Sequence, residues 1–408
     1  MRFSLIAVSF LVSILFLIHT ALPKSFVPRK KIKQDKEVVA AYFAGWDTCS
    51  KNPYCVEDMD QIAPKLTHVI YAFAKPNPVD GTCELPAPVS DVGAMESGSN
   101  QLGGNFAELL RFKKRFPHIK ILLSIAGGAD SKYVSEIVKK GYMKKFITSC
   151  VSLLDRYEYF FVDSKTDKKR SVVYHYEGLF DGIDLDWEWA NNIVPEKEVQ
   201  VFADMIVLLR KLLQDRELKT QKKQILTVAL QVSAAVYRAL PLEKIVSYVD
   251  WFHVMTYNFF GSFSFEIGFN APLSNPSSVY SIENAIDGLL ALDLPAHKLV
   301  LGIPLYGYAF DKTVGGIGAS FKKTSRTRAL SYAKIKELYL NNPGCNYSWH
   351  EKSSVPYLYC PDDSIFVSFD DQRSVQEKVK FARKKNLRGV MLWRLASDDD
   401  EHTLVHSL

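Results

Sequence analysis

No CxxC pair and no cluster of histidines occurs in the 408 residues, which removes the spacing that a structural zinc site needs. Beyond the first 21 residues, no apolar run approaches the ~20 residues required to cross a bilayer as a helix. Net charge is also scarce in the body of the chain. Of the formal +6, the first 37 residues carry Arg2, Lys24, Arg29, Lys30, Lys31, Lys33 and Lys36 against only Asp35 and Glu37. The near-neutral remainder offers no basic face for nucleic acid and suits an uncharged polymer better. There is neither an internal repeat nor a Ser/Thr-rich linker, so a solenoid or a string of tethered modules is not expected.

What is present begins with a leader. Arg2, an apolar run from Leu5 to Ile18 and the small or polar residues around Thr20 and Ala21 predict a secretory signal peptide over 1–21. A basic, disordered arm containing Pro28 is expected over 22–37. The protein is therefore expected to be secreted and extracellular, a monomer with no membrane association apart from the signal segment. Its six cysteines, Cys49, Cys55, Cys83, Cys150, Cys345 and Cys360, would then meet an oxidising compartment. Cys345 with Cys360 and Cys49 with Cys55 are the expected local disulfides, since each pair brackets a polar or Pro-containing loop. Asn346-Tyr347-Ser348 is an acceptor triplet for N-glycosylation.

A hydrophobic content of 47% over this length allows one large barrel or two ordinary domains. Segments rich in β-branched and aromatic residues alternate with segments of helical periodicity, the pattern of repeated βα units. Eight strands are predicted, over 38–43, 68–74, 120–125, 182–187, 226–230, 251–257, 299–303 and 389–393. Helical stretches lie between them, over 106–115, 143–154, 196–213, 281–290 and 374–384. Eight such units predict an α/β fold, a (β/α)8 TIM barrel occupying 38–408. Residues 157–178 read as a surface insertion. Residues 306–369, rich in aromatics and holding Cys345 and Cys360, read as a small subdomain added between strands seven and eight.

The fourth predicted strand reads Asp181-Gly182-Ile183-Asp184-Leu185-Asp186-Trp187-Glu188. Its acids at 184, 186 and 188 alternate, so they share one face at intervals of about 6.6 Å, while Ile183, Leu185 and Trp187 face the other way. On an antiparallel sheet that pattern would mean only a solvated face. A barrel strand is buried on both sides, where unpaired carboxylates are costly unless protonated, hydrogen-bonded or used. Clustered carboxylates can hold a metal, or they can split roles, one staying ionised while a neighbour keeps its proton. No histidine or further carboxylate is spaced to complete a metal shell. The second role suits cleavage of a glycosidic bond, where a general acid must protonate the leaving oxygen near neutral pH.

These residues resemble the DGxDxDxE signature of glycoside hydrolase family 18, the chitinases, and the resemblance extends over nearly all of 38–402. The resemblance implies that Glu188 is the acid/base, that Asp186 orients the substrate's N-acetyl group and that Asp184 hydrogen-bonds behind it. It also implies substrate assistance, in which the 2-acetamido oxygen is the nucleophile and an oxazolinium ion the intermediate. Other blocks follow in family order. Val39 to Trp46, including Tyr42, resembles the first strand, and Leu66 to Ala74, including Phe73, the second. Met255-Thr256-Tyr257-Asn258 resembles the MTYD block, where Tyr257 would hydrogen-bond the acetamido oxygen. Gly302 to Gly307 resembles strand seven, and Gly389 to Trp393 strand eight, where Trp393 would floor the cleaved sugar's subsite; the stretch between them, 306–369, resembles the family's inserted α+β subdomain. Tyr42, Trp46, Phe73, Gly127, Trp187, Met255, Asn258 and Trp393 are thus the expected substrate-binding residues. Chitin or chito-oligosaccharides are the expected partners, with no metal or cofactor.

The chain departs from the family pattern in four ways. Where Ser-x-Gly-Gly is usual it reads Ser124-Ile125-Ala126-Gly127-Gly128, with an extra residue or an Ala in the first Gly position, and Ala129-Asp130 follow where an aromatic is usual. Asn258 replaces Asp, and Tyr308 replaces the Arg of PxYGR. Two other readings stand beside it: an endo-β-N-acetylglucosaminidase acting on N-glycans, which shares the signature, and a catalytically inactive chitin-binding lectin, which shares the fold. The lectins typically lack the acid at the position of Glu188, and the endo-glycosidases generally lack a walled cleft.

Overall fold

The structure, a computed structural model, describes residues 37–95, 99–163, 166–276, 278–313, 317–319 and 326–408. The signal segment and nearly all of the basic arm lie outside the described residues.

Eight parallel strands form the barrel: β1 Val38–Ala44, β2 His68–Asn77, β3 Lys120–Ala126, β4 Gly182–Asp186, β5 Ile225–Gln231, β6 Trp251–Met255, β7 Leu299–Pro304 and β8 Gly389–Trp393. Each pairs with the next in sequence, and β8 pairs with β1 to close the sheet. Closure explains why the strands read as unbroken buried runs, such as Leu-Val-Leu-Gly-Ile-Pro on β7. One face fills the barrel and the other packs against helices such as Glu196–Thr220 and Gln372–Lys384. The latter starts in a capping box, in which Asp371 Oδ1 accepts from the Ser374 amide at 2.9 Å. The glycine of the acidic motif has a structural reason. A Cβ on Gly182 would lie 1.9 Å from the Ile225 carbonyl oxygen, so only glycine lets β4 approach β5.

The 157–178 insertion is a regular two-stranded hairpin, Arg156–Asp163 against Lys168–His175. Between β7 and β8, five antiparallel strands form the inserted subdomain, in the order Thr327–Ser331, Tyr306–Phe310, Ile365–Ser368, Val355–Cys360, Asn346–His350. It has its own apolar centre, in which Tyr308, Phe310, Val355 and Phe366 meet Ile267 and Phe269 from the segment after β6. The Cys345–Cys360 disulfide is present and ties the edge strand at its start. The expected Cys49–Cys55 bond is not. Each of these cysteines belongs to a separate 3-10 turn: Cys49 Sγ lies 2.8 Å from Ser90 Oγ, and the Cys55 amide donates to Asp58 Oδ2 at 2.6 Å. Among the described residues no helix is long and apolar enough to cross a membrane.

Candidate active site

The acidic face of β4 points into the C-terminal mouth of the barrel. Because neighbouring parallel strands lie in register, Asp184 sits level with Ser124 on β3 and Thr227 on β5. Both hydroxyls donate to it, Ser124 Oγ at 2.7 Å and Thr227 Oγ1 at 2.6 Å. Tyr42 donates its O–H from β1 at 2.7 Å, and His253 Nδ1 lies 3.0 Å from Oδ1. Asp184 is 0% exposed. Burial alone would raise its carboxyl, but the hydrogen bonds from His253, Thr227 and Ser124 outweigh it and hold the group below the ordinary aspartate range.

One step up the strand the balance reverses. Asp186 is buried, and its Oδ1 finds no hydrogen-bond partner among the described residues. Burial, then the charges of Glu188 and Asp184, push its carboxyl well above the ordinary range. Glu188 is raised too, chiefly by burial, with the Gly128 amide that donates to Oε1 working the other way. Its own amide donates to Ser131 Oγ at 2.9 Å, and that hydroxyl donates to the Asp186 carbonyl at 3.1 Å, which fixes the turn leaving the strand. Two adjacent acids therefore keep a proton more readily than usual above a third that does not, the division of labour a proton donor needs.

A cleft of about 1100 Å³ opens above them. Tyr42, Trp46, Phe73, Gly127, Asp186, Glu188, Met255, Tyr257, Asn258 and Trp393 all line it, so most of the expected residues come together. Asp184 lies beneath the cleft as a support. Trp187 does not reach it. The same alternation that aims Asp186 and Glu188 inward turns Trp187 outward, where it is buried against Trp189 and Phe202 with ring centroids 4.9 and 6.1 Å away. Its expected substrate contact is therefore withdrawn. On one side of the cleft, Phe73 stacks on Trp393 at 5.8 Å and lies 5.8 Å from Trp46, a continuous aromatic wall. Gly127 is glycine because a Cβ would fall 2.4 Å from the Phe73 ring.

The departures from the family pattern resolve into local arrangements. Ala126 takes a left-handed φ of 75°, a conformation suited to glycine. Asn258 and Tyr308 touch: Tyr308 donates its O–H to Asn258 Oδ1 at 2.9 Å, and Tyr306 donates to the same oxygen at 2.6 Å. The two substitutions form one neutral cluster. Sequence reasoning missed Gly128 and Ser131, which lie in the turn and helix that follow β3, and Thr227 and His253, since a threonine or histidine on an apolar strand reads as core until the register is known. Among the described residues, no three His, Cys, Asp or Glu side chains converge to hold a metal ion.

A closed βα barrel with alternating carboxylates at the mouth of its fourth strand and an aromatic cleft above defines a carbohydrate-cleaving hydrolase. The chain belongs to the glycosyl hydrolases family 18, whose model matches residues 38–398. It is 30% identical over 386 residues to a probable chitinase 2 of Drosophila melanogaster, covering 89% of this chain and 72% of that one. It is 28% identical to chitinase A1 of Niallia circulans, covering 89% of this chain but spanning only 57% of the bacterial protein. Among solved structures, a group IV chitinase of Ostrinia furnacalis in complex with allosamidin matches with a TM-score of 0.73 and 26% identity, over 91% of this chain and 97% of that one.

Proposed function

We propose that this protein is a chitinase, hydrolysing β-1,4 bonds between N-acetylglucosamine units with retention of configuration. The observation that carries the reading is the contrast among the three acids. Asp184 has its oxygens engaged by four groups and lies beneath the cleft, so it is no nucleophile. Asp186 is buried but keeps one oxygen unpartnered, suited to the N–H of a 2-acetamido group. Glu188 lines the cleft with a raised carboxyl, suited to donating a proton.

In this reading Glu188 protonates the glycosidic oxygen as the C1–O bond breaks. The acetamido carbonyl oxygen, steered by Asp186 and Tyr257, bonds to C1 from the opposite face and gives an oxazolinium ion. The aglycon leaves as an alcohol. Glu188, now a carboxylate, takes a proton from water, whose oxygen bonds to C1 and opens the ring. The aromatic wall of Trp46, Phe73 and Trp393 supports binding of sugar rings through their apolar faces. Export by the signal segment and action as an extracellular monomer belong to the same proposal, supported by the leader's composition.

The test is a product profile on a ladder of chito-oligosaccharides beside a high-mannose glycoprotein. Shorter oligomers from the ladder, and strongly reduced cleavage where the sugar to be cut carries a free amine, are expected. Glycan release from the glycoprotein with an untouched ladder would overturn the substrate, and equal rates with and without the acetyl group would overturn substrate assistance.

A further inference from the structure

Below the cleft the barrel encloses a second polar layer whose arrangement fixes where a proton can reside. An ionised carboxylate offers roughly four acceptor positions, and Asp184 has four partners: Tyr42, Ser124, Thr227 and His253. The bond from His253 exists only if its Nδ1 carries hydrogen. Trp251 decides that. Two residues earlier on β6, it shares the inward face, and its indole N–H donates to His253 Nε2 at 2.9 Å. An indole nitrogen can only donate, so Nε2 must accept, and the single ring proton of a neutral imidazole is left on Nδ1.

We propose that Trp251 is a positioning residue for the reaction: by holding His253 as the neutral Nδ1–H tautomer, it makes His253 a standing donor to Asp184 and confines the exchangeable acid proton to Asp186 and Glu188. This rests on the reading of Glu188 as the proton donor. The groups facing the pair come from several strands around the barrel. Tyr42 on β1 packs edge-on 6.2 Å from His253, and Asp184 faces it from β4. His68 on β2 packs edge-on against Trp251 at 5.0 Å and holds Thr67 Oγ1 at 2.8 Å. Burial, aided by Arg388 and Lys120 against a weaker pull from Asp250, pushes His68 down to about 3, so it stays neutral. The Arg388 guanidinium lies 5.8 Å from the Trp251 ring. The indole N–H occupies the ring nitrogen that would take a second proton.

Trp251→Phe keeps an apolar ring and removes only the N–H. Nε2 then becomes free to bind a proton, and an imidazolium would face Asp184. The expected result is a new acidic limb in the kcat profile, with kcat falling about ten-fold per pH unit below the new ionisation, parent-like kcat at alkaline pH and an unchanged KM. His253→Asn in the Trp251→Phe background supplies a neutral amide donor and is expected to remove that limb. A uniform loss of kcat at all pH values, with no new ionisation, would overturn the proposal. A second measurement needs neither substrate nor the variant: 15N spectra of the parent labelled at histidine. They are expected to show one buried imidazole, assigned by its loss in His253→Asn, as the Nδ1–H tautomer from about pH 5 to 8. An Nε2–H tautomer or a protonated ring there would overturn the proposal even if chitin cleavage is confirmed. The expected spectrum without chitin cleavage would instead place the failure in the proposed function.

Discussion

Asp184 and Asn258 lie at opposite ends of one site, and the fold treats them differently. Asp184 is sealed in the barrel with hydroxyls in register on both flanking strands, a tyrosine from across the barrel and a histidine whose tautomer is set by tryptophan. Asn258 is exposed at the rim and meets two phenols from the inserted subdomain. Below, the polar groups are matched by strand register, and the outcome is a fixed charge. Above, they are matched by an insertion, and the outcome is a surface that can vary. The departures from the family pattern at Ala129, Asp130, Asn258 and Tyr308 all fall in this upper half, and Asn258 and Tyr308 are hydrogen-bonded to each other. Electrostatic preparation of the acid is thus a property of the barrel, and recognition of the sugar chain a property of what is built onto it.

The largest effect expected from breaking this division is at its boundary. Glu188→Gln is predicted to lower kcat by a factor on the order of 10³ or more, the scale set by losing a general acid/base, while retained binding of chito-oligosaccharides is read by calorimetry. The sign of its stability effect follows from linkage. A carboxyl whose folded value is raised favours folding fully below the unfolded value near ~4 and opposes it progressively as pH rises through the folded value. The glutamine protein is therefore predicted to be more stable than the parent near about pH 7, with the gap closing near pH ~4. Retained turnover would remove Glu188 from the reaction, and a stability gap that grows on acidification would contradict its raised carboxyl.

Asp184→Ala acts wholly in the lower half. Removing the carboxylate leaves its buried donors without an acceptor, and a loss of roughly 3–5 kcal/mol in urea unfolding is expected. The pH sign is opposite to that of Glu188. Because the folded value of Asp184 is lowered, its stabilising contribution is present above the unfolded value and disappears as pH falls through the folded one. The deficit of the alanine protein should therefore shrink in acid. If the variant unfolds like the parent, the lower layer is not the support described.

How far the chain could be read in advance follows the same line. The eight strands, the inserted subdomain and the catalytic strand were legible because hydrophobic runs and alternating acids are local patterns, and the Cys345–Cys360 bond joins two strand ends that the subdomain brings together. Strand ends were less so: β6 was expected to run through Tyr257 but stops at Met255, after which the chain turns to aim Tyr257 into the cleft. Thr227, Trp251 and His253 carried no local signal, since their meaning lies in which residue stands level on the next strand or two residues away on the same face. Trp187 misled by adjacency. Its position between two acids suggested the cleft, and the two-residue period of a strand sends it the other way.

The smallest predicted effect tests whether the upper half tolerates strain that the lower half does not. Ala126 ends β3 level with Asp186 at a φ of 75°, followed by Gly127 and Gly128, which are also left-handed. This turn presents the Gly128 amide to Glu188, so its shape is tied to the acid. An L-residue with a Cβ is disfavoured in that region by roughly 1 kcal/mol, while glycine adopts it freely but loses more freedom on folding. Ala126→Gly is therefore predicted to be neutral to stabilising by about 1 kcal/mol at most, with kcat and KM within about two-fold of the parent. A clear loss of stability would show that the Ala126 methyl contributes packing at the strand end that outweighs its strain. A stability gain with a large fall in kcat would show instead that the strained turn helps hold Gly128 against Glu188.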